Sequence, residues 1–210
     1  MLFIGLAVTF LVLFVFVNVA DYAVYTYKRN TISKAMDYAV TAAVQDIDRE
    51  KSLEGLAKGF DENTGKRLSD GVEIDIHSAE RTFLSVFDFN CNREQTDIRD
   101  NLLICATSAS GEEVNYKIKT PGGEIVDGTV NEPYLMEDRI NNAAEVCWAD
   151  SDVSKDKISI NVNPKTNMIE RGTYVFAYIK GIKITGIFTE RKLTLSCFGG
   201  AKVDRVNVQN

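Results

Sequence analysis

The amino-acid sequence predicts an α+β fold in which a long N-terminal helix packs against a head built on an antiparallel β-sheet. Residues 2–20 contain no charged side chain, and residues 21–54 contain neither Gly nor Pro, so nothing there interrupts a helix. Alternating apolar and polar residues dominate the second half of the chain. We therefore expect residues 1–54 to form the helix and residues 55–210 to form one α+β head domain.

The first half of the predicted helix, residues 1–20, has the composition of a membrane span. A helix over residues 2–20 is roughly 28 Å long, close to the hydrocarbon thickness of a bilayer. We expect this half to lie in a membrane or in the core of a filament. The side chains expected to make helix–helix contacts in such a core are Phe3, Leu6, Phe10, Leu13 and Val17.

The second half, residues 21–54, is predicted to be amphipathic and to end near Gly55–Gly59. The apolar residues that recur at helical spacing are Ile32, Ala35, Met36, Ala39, Ala43 and Ile47. The polar residues that fall off this stripe are Lys34, Asp37, Gln45 and Asp48. The small side chains Ala35, Ala39, Ala42 and Ala43 suit close contact with a sheet or with another helix.

The residues just after the apolar run are typical of a membrane interface. Tyr22, Tyr25 and Tyr27 are expected to form an aromatic belt. Lys28 and Arg29 supply cations whose long side chains reach the headgroups.

A cleaved secretory signal is disfavoured as an interpretation of the N-terminal segment. No basic residue precedes the apolar run, the run is long, and no A-x-A cleavage site follows it. Two interpretations stay open. One is a single-span anchor for a soluble domain, and the other is a subunit whose helix is membrane-anchored before assembly and packs against copies of itself afterwards.

The positive charges and the cysteines point to opposite sides of a membrane. Lys28, Arg29 and Lys34 follow the apolar run, so the positive-inside rule alone would leave the head in the cytoplasm. The cysteines instead favour an exported head. A short basic leader removed ahead of Met1 would reconcile the two expectations.

Four widely spaced cysteines, Cys91, Cys105, Cys147 and Cys197, are the candidate disulfide residues. None forms a C-x-x-C pair, so the sequence supports neither a zinc ribbon nor a thioredoxin-type redox site. We expect at least one disulfide, with Cys91–Cys105 and Cys147–Cys197 as the first pairings to try. Four buried thiols are the alternative.

The first part of the head is predicted to be mixed. Residues 55–71 are rich in Gly, Asp and Asn and are typical of a loop, whereas residues 72–76 alternate as a short strand. Ser78 is expected to cap a helix that continues through Phe87. The residues expected to supply core mass here are Phe83, Val86, Phe87 and Phe89.

The rest of the head is predicted to be mainly β. Leu102–Ala106 is an apolar strand, and residues 114–118 and 125–130 alternate on either side of a Pro-Gly-Gly turn, as in a hairpin. Asp138–Trp148 is predicted to be a short amphipathic helix. The strands expected after it, joined by short turns into an antiparallel sheet, are residues 158–162, 174–187 and 193–197.

The order of these elements resembles that of TadE-like (tight adherence) pilin-like proteins, and the layout is similar to type IV pilins and pseudopilins. The resemblance rests on the apolar helix, on its Ala-rich continuation from Asp21, and on the terminal three-strand unit that begins ISINVNP. It covers about residues 1–50 and 157–205. It implies a pilin-like fold and a homopolymeric helical filament (a fimbrium) at the cell surface, with a membrane-anchored precursor and other pilin-like subunits as partners.

Position 5 departs from the pattern of the major pilins. Gly5 stands where those proteins carry a glutamate thought to pair with the amino terminus of the neighbouring subunit. With Met1 as the mature end, this departure suits a minor subunit or a divergent filament better than a major pilin.

The sequence does not predict a catalytic or metal site. His77 is the only histidine, and no G-x-S-x-G motif accompanies it. Residues 150–156 carry alternate carboxylates as in a calcium loop, but Lys155 and Asn161 stand where that loop requires Gly and Glu. Residues 61–63 are likewise expected to be a solvated acidic turn. We therefore expect no enzymatic activity, no cofactor and no metal.

The charge balance also limits the classes of binding partner that we expect. With 24 Lys and Arg against 30 Asp and Glu, and without a basic patch, the chain is not expected to bind nucleic acid. The expected function is that of a structural subunit of an extracellular filament. The alternative is a single-span membrane-anchored extracytoplasmic binding or assembly module of a secretion or envelope system.

Overall fold

The computed structural model describes most of the helix and most of the sheet. The described residues are 2–47, 60–61, 66–67, 73–91, 98–110, 113–131, 138–140, 142, 172–188 and 192–203. Several expectations lie outside them: the strand at residues 158–162, the acidic segment 150–156, Cys147, and most of the predicted helix Asp138–Trp148.

The N-terminal helix, α1, spans Leu2–Ala43 without interruption. In its second half, the predicted stripe from Ile32 to Ala43 is buried in the core of the head, whereas Lys34 and Asp37 are exposed. The helical periodicity therefore identified the buried face of this half correctly.

The end of α1 differs from the expectation of a helix reaching Gly55–Gly59. The last α-type bond runs from the N–H of Val44 to the carbonyl of Val40, and Ile47 then forms an antiparallel bridge with Ile74. No residue near Ala43 breaks a helix in the sequence. The helix ends here because the chain leaves it to pair with a residue from beyond the loop.

The second helix, α2, spans Ile76–Cys91 and packs against α1. Asp75, and not Ser78, is its N-terminal cap, because the Asp75 carboxylate accepts the N–H groups of His77 at 3.0 Å and Ser78 at 3.4 Å. The predicted strand at residues 72–76 is thereby reduced, within its described part, to the single bridge at Ile74.

The aromatic side chains of α2 divide between core and solvent. Phe83 and Phe87 are buried and stacked, with ring centroids 5.7 Å apart. Phe89, expected in the core, is 87% exposed. Residues two apart on a helix point in nearly opposite directions, so Phe87 and Phe89 cannot both face the core.

Two short strands, β1 (Phe60–Asp61) and β2 (Lys66–Arg67), pair with each other inside the predicted loop. The main sheet, within the described residues, consists of β3 (Leu102–Ser110), β4 (Glu113–Lys119), β5 (Ile125–Val130), β6 (Gly172–Thr185) and β7 (Lys192–Lys202). These five strands are antiparallel and lie in the order β5-β4-β3-β6-β7. The α+β class and the hairpin over β4 and β5 are as the sequence predicts.

The two faces of the sheet carry separate cores. On β3, Ile104 and Ala106 face the core shared with α1 and α2, whereas Leu103 and Cys105 face a second core that includes Ile140. This alternation follows from the two-residue period of a strand. The helices α1 and α2 therefore cover one face of the sheet, and the other face is covered separately.

Close contact between α1 and the sheet depends on a glycine of β7. A Cβ atom at Gly199 would lie 2.9 Å from the Cγ of Met36 and 3.5 Å from the side chain of Val40. Without a side chain at Gly199, these two residues pack directly on the strand backbone.

Candidate membrane and assembly surface

The first half of α1 projects from the head with its apolar side chains uncovered. Residues 3–16 are all exposed, including Phe3, Leu6, Phe10 and Leu13, whereas Val17 is half-buried. Within the described part of the chain, α1 is the one helix long and apolar enough to cross a membrane, and its most apolar window is not buried by the head. The residues expected to make assembly contacts thus lie, apart from Val17, on open surface.

The apolar surface of this half is large compared with the free energy that stabilises an ordinary domain. Twelve large apolar side chains between Phe3 and Val19 are exposed. Burying each is worth roughly 1.5–3 kcal/mol, so on the order of 20–30 kcal/mol is available to whatever covers them. That exceeds the roughly 5–15 kcal/mol that stabilises an ordinary domain. An uncovered apolar surface of this size is typical of a helix that lipid or other protein covers.

The two polar side chains in this apolar half are compatible with lipid. The Thr9 hydroxyl donates to the carbonyl of Gly5 at 2.9 Å, and the Asn18 amide donates to the carbonyl of Phe14 at 2.7 Å. Each side chain thereby has one donor bonded within the helix itself, which reduces the cost of burying it in an apolar environment.

At the boundary of the apolar half, Asp21 contacts the end of the hairpin formed by β6 and β7. Asp21 is 4% exposed, and its Oδ1 accepts the backbone N–H groups of Ile187 at 2.8 Å and Phe188 at 3.0 Å. Gly186 lies against the same carboxylate, where a Cβ atom would be only 2.7 Å from Oδ1 and Oδ2. This role of Asp21 is not predicted from the sequence, where its one signal is a carboxylate directly after an apolar run.

A second hydrogen bond ties the same hairpin to α1. The Lys28 ammonium donates to the carbonyl of Thr185, the last residue of β6, at 2.7 Å. Lys28 and Asp21 are two helical turns apart, or roughly 10 Å. Two separated attachments fix the direction of the hairpin along the helix, as well as its position.

The hairpin tip, defined as residues 186–188, lies beside the apolar half of α1. The Phe188 ring contacts the Phe16 ring, with centroids 6.5 Å apart and planes inclined at 56°. Ile187 is 67% exposed and Phe188 is 55% exposed. The apolar surface of the helix therefore continues onto the head at this point.

The tyrosines of the expected aromatic belt lie in two different environments. Tyr22 and Tyr27 are exposed, whereas Tyr25 packs against the core shared by the helices and the sheet. Arg29 is exposed. Two of the three tyrosines are thus available to an interface, and the third belongs to the head.

The structure argues against one expected disulfide pairing, Cys91–Cys105, whereas Cys147–Cys197 includes a residue outside the described part of the chain. No disulfide joins Cys91, Cys105 and Cys197 to one another. Cys91 and Cys197 lie on the helix-covered side of the sheet and Cys105 lies on the other, so a Cys91–Cys105 bond would have to cross the sheet. The error follows from pairing neighbours in sequence, because the face on which a strand residue lies depends on register.

Burial governs the chemistry of Cys105 and Cys197. It raises the pKa of the fully buried Cys105 far above its ordinary value. It also raises the pKa of Cys197 to about 11, and the neighbouring charges of Asp37 and Cys91 act in the same direction. These thiols are protonated at neutral pH and are weak nucleophiles.

His77 lies in the first turn of α2, where its surroundings are those of a surface residue. Its Nδ1 is 3.3 Å from the Lys119 ammonium, which forms an ion pair with Glu80 at 2.5 Å. Among the residues that the structure describes, no group of three or more His, Cys, Asp and Glu side chains could hold a metal ion.

Comparison with protein-family models, with curated proteins and with solved structures finds no match for this chain.

Proposed function

We propose that this chain is a structural subunit of an extracellular pilus-like filament, which assembles through the exposed apolar half of α1. The observation that carries the proposal is that one uninterrupted helix, Leu2–Ala43, is uncovered in its first half and belongs to the core of the head in its second. A filament built from such subunits would bury the first halves together and display the heads outside.

The rigid connection between helix and head supports assembly over simple anchoring. Asp21 and Lys28 bind the end of the β6–β7 hairpin, and the packing of Met36 on Gly199 joins α1 directly to β7. A head that only needs to stay near a membrane tolerates a flexible linker. A helical polymer requires every head to keep one orientation relative to its neighbours.

The energetics of assembly are those of helix association from a membrane. The precursor would hold the apolar half of α1 in the bilayer, and lipid is as apolar as the side chains it covers. Moving the helix into a filament would therefore gain little hydrophobic free energy, and close packing of neighbouring helices would supply the driving force. The resemblance of the element order to pilin-like proteins supports the same proposal.

Electron microscopy of filaments sheared from the source cells, with mass spectrometry of their subunit, tests the proposal. The double variant Phe10→Ala, Leu13→Ala is expected to lose filaments while the chain stays in the membrane fraction, because both side chains remain apolar. Phe89→Ala, at an exposed site on the head, is the matched control and should assemble normally. Absence of this chain from any filament, or full assembly of the double variant, would contradict the proposal.

A membrane-anchored extracytoplasmic binding or assembly module of a secretion or envelope system is the second candidate. It is favoured by the match between one bilayer thickness and the uncovered half of α1. This function requires no contact between copies. A chain that remains monomeric in lipid nanodiscs, and that never appears in filaments, would support this candidate over the first.

A further inference from the structure

We propose that the hairpin tip, residues 186–188, is a second membrane-inserting element that enters the lipid surface beside α1. The inference goes beyond both candidate functions and requires only what they share, which is a membrane around the apolar half of α1. The proposed binding partner of the tip is a lipid bilayer, at the boundary between its headgroups and its acyl chains.

The position of the tip along α1 places it at that boundary. The apolar run ends at Ala20, and Phe188 contacts Phe16, four residues further into the run. Four residues correspond to roughly 6 Å along the helix axis. Interfacial elements bury their apolar face about 5–10 Å into the boundary region, so the tip reaches the depth that such elements occupy.

The composition of the tip suits this depth. Ile187 and Phe188 are both mostly exposed. Their apolar surface is continuous, through Phe16, with the surface of α1 that lipid would cover. Thr189 and Glu190 follow at once in the sequence, so the apolar stretch that includes Ile187 and Phe188 is short.

Asp21 removes the main obstacle to inserting a turn into lipid. An exposed turn carries backbone N–H groups that have no partner in an apolar medium, and such groups are costly there. The N–H groups of Ile187 and Phe188 both donate to the Asp21 carboxylate. The same two bonds stabilise the carboxylate, which is itself 4% exposed at the end of the apolar run.

Tryptophan fluorescence in lipid vesicles tests the insertion on the full-length chain. Phe188→Trp is reconstituted in phosphatidylcholine whose acyl chains are brominated near the headgroup, and its emission is compared with that of the parent chain, which contains only Trp148. Ile187→Trp repeats the measurement at the other tip residue. Both are exposed positions, so the added ring has room.

Two further variants calibrate the result. Tyr38→Trp is the matched control, because Tyr38 is exposed on the same helix but lies roughly 26 Å beyond Asp21. Phe10→Trp reports insertion of α1 itself. We expect bromine to quench the tip variants several-fold more strongly than Tyr38→Trp, with Phe10→Trp quenched most by bromine placed deeper in the chain.

Two outcomes would overturn the inference. Quenching of both tip variants no greater than that of Tyr38→Trp, with Phe10→Trp quenched normally, would mean that the tip stays in water. Emission that resists bromine and moves to shorter wavelength as the protein-to-lipid ratio rises would mean that a second copy of the chain covers the tip. Neither outcome would bear on filament assembly, which the separate microscopy experiment decides.

Discussion

The Oδ1 atom of Asp21 lies 3.0 Å from the backbone nitrogen of Phe188, so a carboxylate at the end of the apolar run is held by a turn more than 160 residues away in the sequence. The same oxygen accepts the N–H of Ile187. This contact fixes the head against α1 at the level where the chain leaves its apolar surroundings.

Replacing Asp21 with Ala is expected to destabilise the head by about 3 kcal/mol. Two backbone N–H groups lose a charged acceptor, and hydrogen bonds to charged groups contribute about 1.5–3 kcal/mol each, without strict additivity. Chemical unfolding in detergent micelles measures the loss of stability. The rate of hydrogen exchange should increase most at the amides of Ile187 and Phe188. Asp37→Ala, at an exposed site on the same helix, is the control and should change the free energy of unfolding by less than about 0.5 kcal/mol. Equal effects of the two substitutions would remove Asp21 from its proposed role.

Gly186→Ala is expected to disturb the same contact by adding an atom that displaces the Asp21 carboxylate. The added Cβ atom would lie 2.7 Å from the oxygens of Asp21, and overpacking of this kind costs about 1–3 kcal/mol. A double-mutant cycle with Asp21→Ala tests the cause, because the cost of Gly186→Ala should largely disappear when no carboxylate is present. Gly122→Ala, where the nearest atom to a Cβ is 3.9 Å away, is the control. Additive effects of Gly186→Ala and Asp21→Ala would show that the two residues act independently.

Cys197→Ala is expected to reduce the decrease in the free energy of unfolding that accompanies a rise to alkaline pH. Burial raises the pKa of this thiol from 9.0 to about 11, so the unfolded chain releases the proton at a lower pH than the folded chain does. The stabilisation is therefore complete below pH 9 and is lost as pH rises toward 11, by up to about 1.4 kcal/mol per pH unit. Urea unfolding across this range measures the slope for the parent and for the variant. Cys105 also has a raised pKa, so some slope should persist in Cys197→Ala. Identical slopes in the two proteins would contradict the prediction.

A mild disulfide oxidant such as oxidised glutathione is expected to link Cys91 to Cys197 in preference to any bond involving Cys105. Cys91 and Cys197 pack on the same side of the sheet, and the charge of Cys91 contributes to the raised pKa of Cys197. Peptide mapping under non-reducing conditions identifies the link. Cys105→Ala should leave it intact and Cys91→Ala should abolish it. Recovery of a Cys91–Cys105 peptide from folded protein would be the contrary result.

The regular elements could be predicted because their signals are local. The buried stripe from Ile32 to Ala43 follows from a period of 3.6 residues, and the hairpin over β4 and β5 follows from alternation on both sides of Pro121-Gly122-Gly123. Neither inference requires knowing what the segment packs against.

Two of the differences between expectation and structure depend on a distant partner. The end of α1 is set by the pairing of Ile47 with Ile74. The separation of Cys91 from Cys105 is set by the side of the sheet on which each one packs. Phe89 has a separate, local explanation. Its hydrophobicity suggests the core, but its position around the axis of α2 directs it to solvent.

The spacing of apolar residues along single segments of this protein predicts the apolar half of α1, the amphipathic half that follows it, and the strands of an antiparallel head. The three-dimensional fold is needed to show that β6 lies between β3 and β7, and that Asp21 holds the tip of the β6–β7 hairpin beside Phe16. These contacts join residues far apart in the chain. Their free energy depends on where the backbone brings the partners together, and no local pattern records that.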